Sequence, residues 1–176
     1  MAGHNKWAQI KRQKGANDAA KSNVWAKLSR RITIEAKKAN GDLSSASLRS
    51  AIDAGKAVNM PKDTIERAIQ KGDAPDTATL ESILYEAYGP GGSALLIETL
   101  TDNRNRTAQE IKHLLSKNGI PLASPGSAAW AFEKTIGGYV PKTTVSLTDA
   151  DDVALMQLME QIDAHDDVQE VYTNAE

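Results

Sequence analysis

The sequence predicts an α+β protein: a basic, all-helical N-terminal domain followed by a ferredoxin-like α/β sandwich. Three observations carry this. Apolar residues recur at helical spacing up to Gly72 and at strand spacing after Leu80. A polar stretch with Gly and Pro, Gly72–Thr79, separates the two regimes. Charge divides with them. Residues 1–41 hold ten Lys/Arg against Asp18 and Glu35, a net of +8, while the remainder of the 176-residue chain sums to −10.

Residues 1–16 are basic and polar, with Trp7 and Ile10 as their large apolar groups, and read as an arm. A helix is expected over Ala19–Asn40, closed by Gly41. Trp25, Leu28, Ile32, Ala36 and Ala39 fall on one face at 100° per residue. Lys27, Arg30, Arg31, Lys37 and Lys38 fall on the other, with Ile34 interrupting them. A second helix is expected over Ser45–Asn59, with Leu48, Ala51, Ile52 and Val58 inward. A third follows, opened by an Asp63-x-x-Glu66 capping box and stopped at Gly72.

Beyond Leu80, Ile83–Tyr88 alternates and Gly89–Gly92 turns the chain. Ala94–Leu100 returns as a buried strand, completing a hairpin. Thr107 and Glu110 propose a second capping box before Ile111, Leu114 and Leu115. Ala128–Glu133 and Thr143–Leu147 read as strands. Thr148 and Asp149 open a helix carrying Val153, Met156, Met159 and Ile162, and Val168–Tyr172 is the last strand. The order β-β-α-β-β-α-β suggests a split βαβ with one extra strand. The domains expected are therefore residues 1–72 and residues 80–176.

Composition narrows the function. There are no cysteines, which removes disulfides, thiolate metal sites and thiol catalysis. No apolar run reaches the roughly 18 residues needed to span a bilayer, and the N-terminus lacks a secretory pattern. A cytoplasmic protein with no membrane partner is expected. A +8 segment points to a polyanion, with nucleic acid first. The candidate contacts are Lys6, Lys11, Arg12, Lys14, Lys21, Lys27, Arg30 and Arg31, spaced to follow a phosphate backbone. Trp7 either stacks on a base or anchors the arm by packing. Arg104 and Arg106, two residues apart, share a face if the chain there is extended, and could hold phosphate beside a helix N-terminus. The other reading of Asp102–Thr107 is a turn whose arginines sit in salt bridges.

Gly89–Gly92 lacks the Gly-Lys-Ser/Thr ending of a phosphate loop and reads as a tight turn. His4, His113 and His165 are far apart and none has a partner at ligand spacing, so no metal is expected. The Asp149/Asp151/Asp152 and Asp163/Asp166/Asp167 clusters read as a solvated acidic face. Nothing resembles a catalytic constellation. Neither enzymatic activity nor a cofactor is expected.

Five blocks carry a resemblance to a known family. They are Ala2–Trp7 with Ile10-Lys11, Asn59–Ile69 (NMPKDTIERAI), Tyr85–Gly92 (YEAYGPGG), Leu100–Thr107 (LTDNRNRT) and the closing VYTNAE. Together they resemble the bacterial YebC/PmpR family, which includes the mitochondrial translational activator of cytochrome c oxidase. Asn5 stands where that family usually has Ser. The resemblance implies a regulator of gene expression. Its expected target is RNA at the ribosome or, for a transcriptional regulator, DNA, with structured RNA preferred; the acidic half is expected to face away from phosphate or to contact basic ribosomal proteins. It also implies a third domain inserted into the second. Here AWAFEKTIGGYVP runs almost directly into TTVSL, so Lys134–Lys142 is expected to be a loop bypassing that insertion. A module that binds protein through its acidic half is the remaining reading.

Overall fold

The computed structural model describes residues 18–75 and 79–176. Two compact units are present, Asn17–Leu80 and Glu81–Glu176. The first contains α1 (Asp18–Ala39), α2 (Ala46–Ala57) and α3 (Lys62–Asp73). The second contains β1 (Glu81–Tyr88), β2 (Ala94–Thr101), α4 (Arg104–Lys117), β3 (Leu122–Ala123), β4 (Phe132–Thr135), β5 (Gly138–Pro141), α5 (Asp149–Asp163) and β6 (Val168–Thr173).

In the helical unit the apolar stripe of α1 faces inward as its spacing requires. Ile32 and Ala36 are buried against Leu48 and Ala51 of α2 and Ile65 and Ala68 of α3, with Met60 between those helices. Trp25, Leu28 and Ala39 border this core. Thr33 Oγ1 lies 2.9 Å from the Ser29 carbonyl and 3.1 Å from that of Ala68, so one proton is shared between α1 and α3. Gly72 is not the stop the sequence suggested. It lies inside α3, which runs to Asp73. A Cβ there would stand 2.5 Å from the Thr33 carbonyl and 2.7 Å from the Ala36 Cβ. The glycine lets two helix backbones approach closely.

The Asp63–Glu66 capping box does not form. Pro61 occupies the cap position and Asp63 lies inside the first turn, where it still faces the positive end of the helix dipole. Val58 is exposed rather than inward, because α2 ends before it.

The second unit is built on a four-stranded sheet in the order β3-β1-β2-β6, every neighbouring pair antiparallel. β2 and β3 are therefore parallel with β1 between them, joined through α4 in a split β-α-β arrangement. Strand alternation sends Tyr85, Ala87, Leu95, Ile97, Val168 and Val171 to one face, beneath Ile111 and Leu115 of α4 and Leu155, Leu158, Met159 and Ile162 of α5. The opposite face presents Ala94, Leu96 and Tyr172 to Ala128, Ala131 and Phe132. Gly91, in the turn between β1 and β2, has φ +65°, and a Cβ on it would meet Leu147 at 2.4 Å. The positive φ of the turn favours glycine, whereas the Leu147 methyl is the movable end of a side chain.

Four expectations are corrected here. Ala128–Glu133 is not one strand. It curls into a 3-10 turn at Ala129–Ala131 before β4 begins. The curl follows from Glu86 of β1, whose carboxylate accepts the N–H groups of Gly126 (2.6 Å), Ala128 (2.7 Å) and Ala129 (2.8 Å). Lys134–Lys142 is not a plain loop. β4 and β5 pair through Phe132↔Pro141 to Thr135↔Gly138 in a two-residue hairpin around Ile136 and Gly137. Thr143–Leu147 forms no ladder. Its one bridge pairs Val145 with Ala175, beyond β6. Val153 points outward, and Leu155 and Leu158 take its place in the α5 core. The α+β class stands as expected, with the extra β-structure forming a separate hairpin over the sheet.

Candidate nucleic-acid interface

Lys6, Trp7, Lys11, Arg12 and Lys14 lie outside the described residues. The remaining candidates fall on α1 and at the start of α4.

On α1, Lys21 and Arg31 are exposed and Arg30 is half-buried. Lys27 is only 7% exposed, so it does not sit on the open cationic face that its helical angle suggested. Lys38 pairs with Glu35 at 2.9 Å. Burial pushes the Glu35 carboxyl up, but hydrogen bonds from Lys38 and Ser47 and the charges of Lys38 and Arg31 outweigh it, leaving this group below its ordinary range. Lys37 Nζ approaches Thr79 Oγ1 at 3.4 Å.

Arg104 and Arg106 do not share a face. The segment is helical from Arg104, so residues two apart diverge by about 200°. The expected Thr107–Glu110 capping box is replaced by Asn103, whose side chain accepts the Arg106 N–H at 3.1 Å. Thr107 is drawn inside the unit. Its Oγ1 lies 2.7 Å from Thr101 Oγ1 and 2.7 Å from Asp167 Oδ2.

Arg106 is engaged by carboxylates. Its Nη2 donates to Asp167 Oδ2 (2.9 Å) and Asp102 Oδ1 (3.0 Å), and Glu110 lies 3.8 Å from its Nε. The hydrogen bond and charge of Asp167 hold its proton more firmly than usual. This matches the salt-bridge alternative for Asp102–Thr107. Arg104 remains exposed at the helix N-terminus, where the first N–H groups and the dipole favour an anion. Tyr85, buried in the field of Arg104 and Asp167, has a hydroxyl with no hydrogen-bond partner among the described residues. Burial raises its pKa.

The fold brings Glu110, His165 and Asp167 together, with ligand-type atoms within 4.8 Å of one another. Sequence spacing could not reveal this cluster, because Glu110 and His165 belong to different elements. Its chemistry is that of a clasp. The Asp167 N–H donates to His165 Nδ1 at 3.1 Å, and His165 Nε2 lies 3.0 Å from Glu110 Oε2. A neutral imidazole accepting at Nδ1 carries its proton on Nε2 and donates it to Glu110. Neither nitrogen offers a free lone pair to a metal. The cation held here is the Arg106 guanidinium. The acidic first turn of α5 (Asp149, Asp151, Asp152) follows the Thr148 cap, which accepts the Asp151 N–H at 3.2 Å. That placement complements the helix dipole.

An aromatic pair lies outside the residues that sequence pattern singles out. Trp130 is 58% exposed and Tyr88 is 39% exposed. The Trp130 Nε1–H donates to Tyr88 Oη at 3.0 Å, and that hydroxyl donates to the Ser127 carbonyl. Placing Trp130 inside a strand hid it. The signal available was an aromatic between small residues, Ala128-Ala129-Trp130-Ala131.

Residues 5–74 match the family model described as the TACO1/YebC protein N-terminal domain. Residues 80–137 and 137–175 match the model for the TACO1/YebC second and third domain. A probable transcriptional regulatory protein of Petrotoga mobilis is 48% identical over 181 positions, covering all of this chain and 71% of that protein. One from Thermosipho africanus is 37% identical over 237 positions, covering 100% of this chain and 94% of its own length. The crystal structure of a conserved hypothetical protein from Aquifex aeolicus superposes with a TM-score of 0.81 at 25% identity, covering 90% of this chain and 91% of the other.

Proposed function

The chain belongs to the TACO1/YebC family, and from that premise we propose that it is a non-enzymatic regulator of gene expression that binds nucleic acid. Its preferred target is structured RNA at the ribosome, where it acts as a translational activator in the cytoplasm. The carrying observation is the segregation of charge. A +8 segment leads the chain, and the rest is acidic. Phosphate attracts the first and repels most of the second, so contact with nucleic acid is led by the arm and α1. Ribosomal proteins, which are basic, suit the acidic surface.

A DNA-binding transcriptional role is the second reading. The names of the Petrotoga and Thermosipho relatives favour it. The clasp around Arg106 supports the non-enzymatic reading, since Glu110, His165 and Asp167 are consumed by one another. No helix among the described residues is long and apolar enough to cross a membrane. We also read the chain as lacking the family's inserted third domain near residues 134–142. The break in the family match at residue 137 and the surplus positions in the Thermosipho alignment support this.

The deciding experiment is co-sedimentation with ribosomes in a gradient at low and moderate salt, beside a pull-down on DNA. Ribosome association supports the translational reading. Free protein in the gradient with salt-sensitive retention on DNA replaces it with the transcriptional one. Failure of both overturns nucleic-acid binding.

A further inference from the structure

Trp130 is held unlike an incidental surface residue. Its 3-10 turn is tied to β1 by the three N–H groups that the buried Glu86 accepts. Ala128, Ala131 and Phe132, on either side of it, are sunk into the core. The indole edge is fixed by Tyr88, which is itself fixed by Ser127. Backbone and ring are thus set in advance while much of the ring surface stays open. The one polar atom of the indole is already satisfied. What Trp130 still offers a partner is apolar area and a π-face.

The surrounding charge selects the partner. Residues 81–176 carry fifteen Asp/Glu against six Lys/Arg. Between Ile120 and Thr148, however, Glu133 is the sole carboxylate, against Lys134 and Lys142. Both lysines are exposed, and the Lys142 N–H donates to the Ala131 carbonyl at 2.8 Å, placing that residue beside the turn. A rigid, edge-satisfied indole in a locally basic part of an acidic unit suits a flat base on a phosphate backbone. It needs no hydrogen-bond readout.

We propose that Trp130, steadied by Tyr88 and Glu86 and with Lys142 beside its turn, is a stacking platform for an unpaired base of a single-stranded nucleic-acid segment. The proposal rests on the nucleic-acid reading above and adds a contact site in the second unit. Stacking is worth a factor of roughly five to a hundred and fifty in affinity per base.

The test uses the full chain and two fluorescent probes, a short single-stranded oligouridine and an RNA duplex of the same length, titrated by anisotropy across a salt series. Trp130→Ala and Trp130→Leu are compared with Trp130→Phe, with far-UV circular dichroism confirming the fold. The expected result is a loss of at least about fivefold on the single strand for Ala and Leu. Phe should retain most of the affinity. Duplex binding and the salt slope should not change. Single-strand affinity untouched by Ala and Leu overturns the platform while leaving the basic-arm reading intact. Wild-type protein that binds neither probe at any salt overturns both. An oligoproline peptide, titrated separately as a third probe and bound in a Trp130-dependent way while oligouridine affinity stays unchanged across the variants, overturns the platform in favour of a peptide site.

Discussion

Asp167 is a single buried carboxylate serving three elements. It accepts from Arg106 and Thr107 of α4, while its backbone N–H holds the His165 imidazole and its carbonyl accepts from Leu100. Asn at this position keeps the shape but removes the charge opposite Arg106. Asp167→Asn should therefore cost about 1–3 kcal/mol, read as a lower urea midpoint at constant m. Glu35 makes the pH case. Its carboxyl lies below the ordinary value of 4.5, so its interactions stabilise the folded state above that pH and are lost as pH falls through the lowered one. Glu35→Gln should be less stable than the wild type at pH 7, with the gap closing in acid below pH 4.5. A stability difference that is flat across this range would contradict the assignment.

At the scale of elements, two close fits govern stability. α1 and α3 meet at Gly72, where even a methyl group collides with backbone. Gly72→Ala should lower the thermal midpoint, with a cost of about 1–3 kcal/mol despite alanine's better helix propensity. Glu86 fastens the 3-10 turn to β1, and a Gln side chain supplies one acceptor oxygen where the carboxylate supplies two. Glu86→Gln should leave at least one N–H without its partner and cost about 1.5–3 kcal/mol. Loss of order at Trp130 should accompany it, visible as a red-shifted, more quenchable tryptophan emission.

Much of this level was legible beforehand. The inward stripe of α1 and the β1–β2 pair follow from spacings of 3.6 and 2 that survive any tertiary context. The curl at Ala129–Ala131 was not, because its cause is a side chain about forty residues away. The capping boxes failed for a related reason. Asn103 and Pro61 reached the cap positions first, and Thr107 found a better partner in Asp167.

For the molecule as a whole, the controlling quantity is the distribution of charge. If the arm follows phosphates, log affinity should fall linearly with log salt, by about 0.7–0.9 per contact. Replacing Lys11, Arg12 and Lys14 with alanine should shallow that slope by up to about 2–3 units. An unchanged slope would remove the arm from the interface. Because the Trp130 platform acts through stacking, its loss should shift the line without tilting it, and the two contributions separate in one titration.

The sequence by itself determined the α+β class, the helical core face, the split βαβ skeleton, the family and the polarity of charge. These depend on periodicity and composition, which are local and additive along the chain. Only the tertiary structure decided which charges are spoken for. Arg106 is turned inward to Asp167, Lys27 is buried, and Glu110, His165 and Asp167 converge from separate elements. It also showed Trp130 open on a fastened turn. Pairing and exposure depend on residues far apart in the chain, and local sequence pattern carries no information about that distance.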